Sequence, residues 1–182
     1  MKFKAYSQNM AEVLNLISVE DFEKHHEGQH GVEYWFGKVV QKHAPSWVHS
    51  ILQVQLGELL RNCGYFSGSE LTLRTDRHWQ ARPDVAGALE LEEPHPIKPI
   101  DIAIEIPSKD QDPPLIEKYQ NYARIGVPLI LVFDPETRIA SQWNREKNRF
   151  EPMEQIVLTN GQVVEVAEVW NELDRRLQPR HP

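Results

Sequence analysis

The sequence predicts an α/β fold in which helices flank a mixed β-sheet, and three consecutive segments carry this prediction. Residues 100–106, IDIAIEI, alternate isoleucine with acidic or small residues, which is the two-residue period of a strand. Residues 115–125 have the apolar spacing of a helix, and residues 128–134, PLILVFD, are typical of a strand buried on both faces. Strand, helix and strand in this order form a right-handed parallel crossover.

The N-terminal part of the chain adds helices and a hairpin. Residues 11–27 mix polar and apolar side chains, which predicts one or two short helices. Residues 32–42 predict two strands joined by a turn at Gly37-Lys38. The clearest helix begins after Ser46, whose hydroxyl suits an N-cap, and ends before Gly64, which suits a C-terminal stop.

Further strands are predicted on both sides of the crossover. Residues 68–75, GSELTLRT, and residues 82–89, RPDVAGAL, each predict a strand, and the acidic, proline-rich residues 90–99 predict a loop. Residues 138–153 predict a hairpin, and residues 166–177 predict a last amphipathic helix. The whole pattern is therefore α/β, with an N-terminal hairpin and helix before the central crossover.

Length and composition indicate a single domain over residues 1–182, with an N-terminal arm at 1–17 and a C-terminal tail at 174–182. Cys63 is the only cysteine, which excludes an intrachain disulfide, and its place in a helix predicts a buried structural thiol rather than a nucleophile. No apolar run reaches the roughly 18 residues of a membrane helix, and the N-terminus lacks the apolar core of a secretory signal. We expect a soluble, cytoplasmic protein.

One motif matches a zinc-binding pattern. His26 to His30 read HEGQH, a match to H-E-x-x-H, in which two histidines on one helical face bind zinc and the glutamate acts as base. Gly28 inside the motif and Gly31 after it both oppose a helix, and a chain with eight histidines can produce this match by chance. A polar linker is the preferred interpretation, and a zinc hydrolase using His26 and His30 is a minor alternative.

Three charged residues stand beside apolar segments. Asp84 opens a predicted strand, Glu105 ends the next one, and Lys118 follows in the next helix. Burying a carboxylate among isoleucines is costly unless a cation or hydrogen bonds offset it, and two converging acids would suit Mg²⁺ or Mn²⁺, which prefer oxygen ligands. Spacing alone leaves a structural alternative equally open, with Asp84 in a turn, Glu105 in a salt bridge and Lys118 solvated.

Around these residues the chain resembles the Uma-two (Uma2) family of restriction-endonuclease-like proteins, in the PD-(D/E)XK nuclease superfamily. The resemblance covers about residues 18–173 and depends on the order and spacing of several short motifs. The matching residues are Glu33, Gly37, His49, Glu70, Pro83-Asp84, Glu105 with Ser108, Lys118 with Tyr122, Ala123 with Gly126-Val127, and Asp134-Pro135.

The resemblance implies a restriction-endonuclease-like core with a metal site. Asp84 and Glu105 would be ligands of Mg²⁺ or Mn²⁺, Glu70 a further acid beside the metal, and His49 a helix residue facing the site. In the superfamily the lysine usually lies two residues after the glutamate, a position that Pro107 occupies here. The resemblance to this family moves the lysine to the following helix, as Lys118.

The implied activity is that of a metal-dependent endodeoxyribonuclease. A metal-activated water would attack the phosphorus of DNA, Lys118 would assist it, and the 3′-oxygen would leave. Cleavage of two strands would favour a homodimer, in which Trp170 of the last helix could supply a contact, although Trp170 could equally pack on its own sheet. The formal net charge of −7 favours the alternative of a catalytically inactive DNA-binding or regulatory module on the same fold.

Overall fold

The computed structural model describes residues 16–42, 44–107 and 115–178. The helices in these ranges are α1 (Val19–His25), α2 (Trp47–Asn62), α3 (Leu115–Arg124) and α4 (Val166–Leu177). The strands are β1 (Val32–Trp35), β2 (Lys38–Gln41), β3 (Phe66–Ser69), β4 (Trp79–Gln80), β5 (Val85–Ala88), β6 (Ile102–Glu105), β7 (Leu129–Asp134), β8 (Ile139–Asn144), β9 (Arg149–Pro152), β10 (Gln155–Val157) and β11 (Val163–Glu165). None of the helices in these ranges has both the length and the apolarity that a bilayer crossing requires.

The central sheet is mixed, as the sequence predicts. Its six strands lie in the order β3-β5-β6-β7-β8-β9, and β6 and β7 pair in parallel while the other neighbours are antiparallel. The helix α3 lies between the two parallel strands in the chain, so β6, α3 and β7 form the expected crossover. The predicted α/β class is confirmed.

The alternation in β6 separates two hydrophobic cores. On one face Ile102 and Ile104 pack with leucines of α2 and with α4. On the other face Ala103 packs with Tyr122 of α3 and with Trp79 of β4. Because side chains alternate along a strand, Glu105 points to the same face as Ala103, under α3.

A small sheet of order β2-β1-β4 lies on that second face. Its hairpin turns at Phe36 and Gly37, whose φ angles are 48° and 92°, one residue earlier than predicted. Two successive residues with positive φ are typical of the tight turns that join twisted strands. Every residue of β1 is buried, so this hairpin is held against the core and its acidic residue, Glu33, is carried inward.

The strand predicted over residues 68–75 is wrong in its position. The observed strand β3 ends at Ser69, and Glu70 follows with a φ of 54°, a left-handed conformation that interrupts strand geometry. The amide of Leu73 then donates to the Ala81 carbonyl, outside the regular ladder. The short strands β4, β10 and β11 are additional to those that the sequence predicts.

Two predictions about the helices have clear outcomes. Trp170 packs on its own sheet, with its ring 5.6 Å from that of Phe133. Cys63 is half-buried at the C-cap of α2 rather than fully buried, and its partial burial raises the pKa of the thiol, which opposes a nucleophilic role.

Candidate active site

Two buried carboxylates meet between neighbouring strands of the central sheet. Asp84 immediately precedes β5 and Glu105 ends β6, and these strands are antiparallel with Val85 opposite Ile104. The start of one strand therefore lies beside the end of the other. The Ile106 amide donates to Asp84 Oδ2 at 2.7 Å, which ties the first carboxylate to the end of the second strand.

Lys118 reaches this pair from α3. Its side chain is buried, and its ammonium contacts Glu105 Oε1 and Glu33 Oε1, each at 2.9 Å, and donates to the Arg82 carbonyl at 3.1 Å. Tyr122, one helical turn further on, donates to the same Glu105 oxygen at 2.6 Å. The structural alternative predicted a solvated Lys118, and this part of it is wrong because Lys118 is buried. It also predicted a salt bridge for Glu105, and that salt bridge does form, with Lys118.

Glu33 belongs to the same cluster, although the sequence marked it only as a matching family position. It is 1% exposed, and it also accepts hydrogen bonds from the Arg82 amide and the Trp35 indole, each at 2.8 Å. The available signal was an acid inside the buried strand VEYW, where a carboxylate needs partners to offset its desolvation.

Lys42 is a site residue that the sequence reasoning missed. Its ammonium lies 2.8 Å from Asp84 Oδ1 and 2.7 Å from Glu70 Oε1, and it donates to the Arg82 carbonyl at 3.2 Å. That carbonyl therefore accepts from both Lys42 and Lys118. A lysine directly after an outer strand resembles any surface lysine in sequence, so no local pattern identifies it.

The remaining predicted residues, His49 and Glu70, also lie at the cluster. His49 is largely buried on α2, with Nε2 3.6 Å from Asp84 Oδ1. Among the described residues, the second carboxylate oxygen of Glu70, Oε2, is buried without a hydrogen-bond partner. Such an orphaned oxygen, on a residue with a positive φ, is typical of a functional position.

Charge is unbalanced within the cluster. When fully ionised, its four carboxylates exceed its two ammonium groups by two negative charges; the acids are Glu33, Glu70, Asp84 and Glu105, and the cations are Lys42 and Lys118. Burial, together with nearby acids, raises the pKa of Glu105 to about 7 even though Lys118 opposes the shift. Burial likewise raises the pKa of Glu70, against the opposing effect of Lys42.

Asp84 behaves in the opposite way. Burial alone would raise its pKa, but the nearby His49 imidazole and the charges of Lys42 and Lys118 outweigh burial and hold the pKa well below its usual range. For Lys118, burial would lower the pKa, but the nearby carboxylates of Glu105 and Glu33 outweigh burial, so the pKa of its ammonium lies above its ordinary value. Both lysine ammonium groups are therefore charged near neutral pH.

The donor set fits a hard divalent cation. The oxygens come from carboxylates, the excess of two negative charges matches one Mg²⁺ or Mn²⁺, and Glu70 Oε2 is an orphaned acceptor. Asp84 and Glu105 could hold such an ion, with Glu70 beside it. Within residues 16–42, 44–107 and 115–178, no three histidine, cysteine or acidic side chains are grouped as ready ligands. The ammonium groups of Lys42 and Lys118 form ion pairs with these carboxylates instead.

The HEGQH motif does not form the arrangement that zinc hydrolases need. The helix α1 ends at His25, with His26 as its C-cap, and Gly28 and Gly31 follow with φ angles of 79° and 68°. His26 and His30 therefore share no helical face, and His26 Nδ1 contacts the Gln29 side chain instead.

Comparison with known proteins agrees with this architecture. One similar solved structure is described as "Crystal structure of a putative nuclease belonging to DUF820 from Anabaena variabilis ATCC 29413"; it has a TM-score of 0.70 and 20% identity, covering 86% of this chain and 99% of that one. Another, a DrdV-DNA complex, has a TM-score of 0.36 and 17% identity over 68% of this chain and 11% of that one, too low to bear on the fold. No curated protein matches the chain.

A family model places the chain more directly. The model described as "Putative restriction endonuclease" matches residues 19–178, which include Glu33, Asp84, Glu105 and Lys118. The match spans most of the chain and agrees with the fold of the DUF820 structure. The chain therefore belongs to the Uma2 family of restriction-endonuclease-like proteins.

Proposed function

We propose that the protein is a metal-dependent endodeoxyribonuclease, with Asp84 and Glu105 as the ligands of Mg²⁺ or Mn²⁺. The observation that carries this proposal is a pair of buried carboxylates, beside one another at the ends of adjacent strands, within a cluster that has two more negative than positive charges when fully ionised. When bound, such a metal lowers the pKa of a coordinated water and polarises the phosphoryl group. The family assignment supports a nuclease activity.

The protein's own residues hold and orient these ligands. The Ile106 amide fixes Asp84 Oδ2, while Tyr122 and Lys118 fix Glu105 Oε1. Lys118 is in turn anchored by Glu33, so its positive charge stays beside the ligands and opposes the negative charge that develops on a phosphate in the transition state. Lys118 therefore acts first as a positioning residue.

Glu70 and His49 have supporting roles in the proposal. Glu70 contacts Lys42 through Oε1, and its Oε2 is buried without a partner among the described residues, so this oxygen is available to complete the coordination or to accept a proton from the attacking water. His49 lies beside Asp84 Oδ1 and supports its ionised form, which is the form that binds a cation.

Nicking of supercoiled plasmid DNA in MgCl₂ or MnCl₂ tests the activity. Glu105→Gln and Asp84→Asn keep the shape of each side chain and remove its charge, so we expect the nicking rate to fall by about a hundredfold or more. Glu146→Gln, an exposed acid in a turn, is the matched control and should nick at the wild-type rate. Equal rates in the wild type and both site variants would refute the proposal.

The second candidate is a DNA-binding or regulatory module that has lost catalysis. Its support is the pairing of both lysines with the carboxylates and the formal net charge of −7. A titration of the wild type with Mn²⁺ separates the candidates, because a module without a metal site would give no heat of binding at millimolar Mn²⁺ while still binding DNA.

A further inference from the structure

We propose that Lys42 is an exchangeable internal cation that holds Asp84 Oδ1, beside Glu70, and must withdraw before a divalent ion can take that oxygen. This inference rests on the proposed metal-dependent function and concerns how the site is loaded. It assigns the two lysines of the cluster different roles, with Lys118 as a permanent partner of the ligands and Lys42 as a removable one.

The position of Lys42 is the first argument. Its ammonium lies 2.8 Å from Asp84 Oδ1 and 2.7 Å from Glu70 Oε1, between two of the carboxylates that a metal would use. The other oxygen of Asp84, Oδ2, already accepts the Ile106 amide. Oδ2 has one acceptor position left after this bond, and Oδ1, the oxygen that faces the Glu70 side of the cluster through Lys42, is the one that Lys42 holds.

The second argument is electrostatic. An ion such as Mg²⁺ or Mn²⁺ bound to Asp84 Oδ1 lies about 2.1 Å from that oxygen, within a few ångströms of the place the ammonium occupies. Two cations at that separation repel strongly in a site with little water. Binding of the metal at Asp84 Oδ1 therefore competes with the Lys42 contact. The same repulsion reaches Lys118 on Glu105 Oε1, but Glu33 holds that ammonium in place, so Lys42 is the cation that gives way.

The third argument is access to solvent. The Lys42 side chain is 12% exposed and follows the last residue of β2, at the end of a hairpin, whereas the Lys118 side chain is 4% exposed and lies under α3. A lysine has a flexible four-carbon stem, so the ammonium of a partly exposed side chain can swing into water while its backbone stays in place. Lys118 is held more deeply, because its partners Glu33 and Glu105 are almost fully buried, whereas the Glu70 side chain beside Lys42 is 25% exposed.

A titration with MnCl₂, followed by calorimetry and by the electron paramagnetic resonance signal of free Mn²⁺, tests this role without any activity assay. In Lys42→Met the competing charge is gone, so we expect the dissociation constant for Mn²⁺ to fall about tenfold or more relative to wild type. Lys42→Arg keeps the charge and should bind Mn²⁺ about as weakly as wild type. Lys38→Met, on the same hairpin, is the matched control and should leave the constant unchanged.

The outcomes separate this inference from the proposed function. Tighter Mn²⁺ binding by Lys42→Met alone, with measurable binding by wild type, supports the exchangeable cation. If Lys42→Met binds Mn²⁺ and wild type binds none, Lys42 occupies the site permanently, which overturns the exchangeable role. Equal or weaker binding by Lys42→Met than by wild type overturns the inference and leaves the metal site standing, since Lys42 would then only balance charge. Absence of binding in every variant overturns both. If Lys42→Met does not fold, Lys42→Gln makes the same comparison.

Discussion

At the scale of single residues, two neighbouring carboxylates have pKa values displaced in opposite directions. Glu105 is fully surrounded by protein, and the cost of burying its charge raises its pKa to about 7. Asp84 is equally buried, but His49 and Lys42 outweigh that cost and depress its pKa. A pair of acids with separated pKa values is typical of a functional site.

The raised pKa of Glu105 predicts a pH-dependent stability. Because the folded value of about 7 exceeds the ordinary 4.5, the folded state keeps a proton that the unfolded state releases, so Glu105 costs stability as the pH rises from 4.5 to 7. The unfolding free energy of Glu105→Gln, measured relative to that of wild type, should therefore rise by about 3 kcal/mol between pH 4.5 and pH 7. Urea denaturation at several pH values measures the gain.

Asp84→Asn gives the opposite control. The depressed pKa of Asp84 contributes stability that is present above its ordinary value of 3.8 and is lost as the pH falls toward the folded pKa. The stability advantage of wild type over Asp84→Asn should thus be largest above pH 4 and shrink in acid. Parallel pH profiles of wild type and both variants would contradict the assigned shifts.

Residue-scale prediction from the sequence succeeded where a charge interrupted an apolar pattern. Asp84 and Glu105 stand at the ends of apolar strands, and all five residues named from the sequence converge in one cluster. Lys42 was missed because the residues around it in sequence give no sign of its role. It lies 42 residues before Asp84 and contacts it only when the hairpin folds over the sheet. The role of each residue in catalysis remains a prediction.

At the scale of elements, the contact between α2 and β5 depends on a glycine. Gly87 lies in β5 beneath the helix, and a Cβ atom there would stand 2.9 Å from Leu60 Cδ1 and 3.4 Å from Ile102 Cβ. Leu60 and Ile102 are both fully buried, so neither can move far. The small residue in RPDVAGAL therefore permits close packing of the helix on the strand.

Substitution of this glycine should loosen the contact. Gly87→Val introduces a branched side chain into a filled core, and we expect a loss of about 1–3 kcal/mol of unfolding free energy in thermal or urea denaturation. Gly57→Ala is the matched control: Gly57 lies inside α2, its added Cβ would meet only Ser67 Oγ at 3.8 Å, and it should stabilise by about 0.5–1 kcal/mol. Equal effects of the two substitutions would contradict the packing argument.

The elements that the sequence failed to predict are short or interrupted. β10 and β11 have three residues each, too few for a period to emerge. The segment GSELTLRT alternates well, but Glu70 within it adopts a positive φ, and tertiary contacts override the local strand preference there. The long crossover, whose strands are apolar and whose helix is strongly patterned, is where pattern and structure agree best.

At the scale of the whole molecule, the acidic cluster links metal binding to folding. The folded chain assembles carboxylates from β1, β6 and the segments after β3 and before β5, whereas the unfolded chain keeps them apart. A ligand that binds only the folded state stabilises it by mass action. The proposed metal should therefore raise the melting temperature.

This linkage gives a measurable shift. At an Mn²⁺ concentration about one hundred times the dissociation constant, the added stability is about 2.7 kcal/mol, which in a domain of this size corresponds to a rise of roughly 5–10 °C. Differential scanning calorimetry across a series of Mn²⁺ concentrations measures it. Asp84→Asn should lose the dependence on Mn²⁺, and the same rise in wild type and Asp84→Asn would assign the effect to another part of the surface.

Three consecutive residues, Arg82, Pro83 and Asp84, hold the cluster together. The Arg82 amide donates to Glu33, and the Arg82 carbonyl accepts hydrogen bonds from Lys42 and Lys118. The Pro83 carbonyl accepts a hydrogen bond from the Glu70 amide. A proline restricts the residue before it to an extended conformation, so Pro83 fixes the direction of the Arg82 carbonyl. The proline of the Pro-Asp motif thus orients both lysines through the Arg82 carbonyl, in addition to preceding the acid itself.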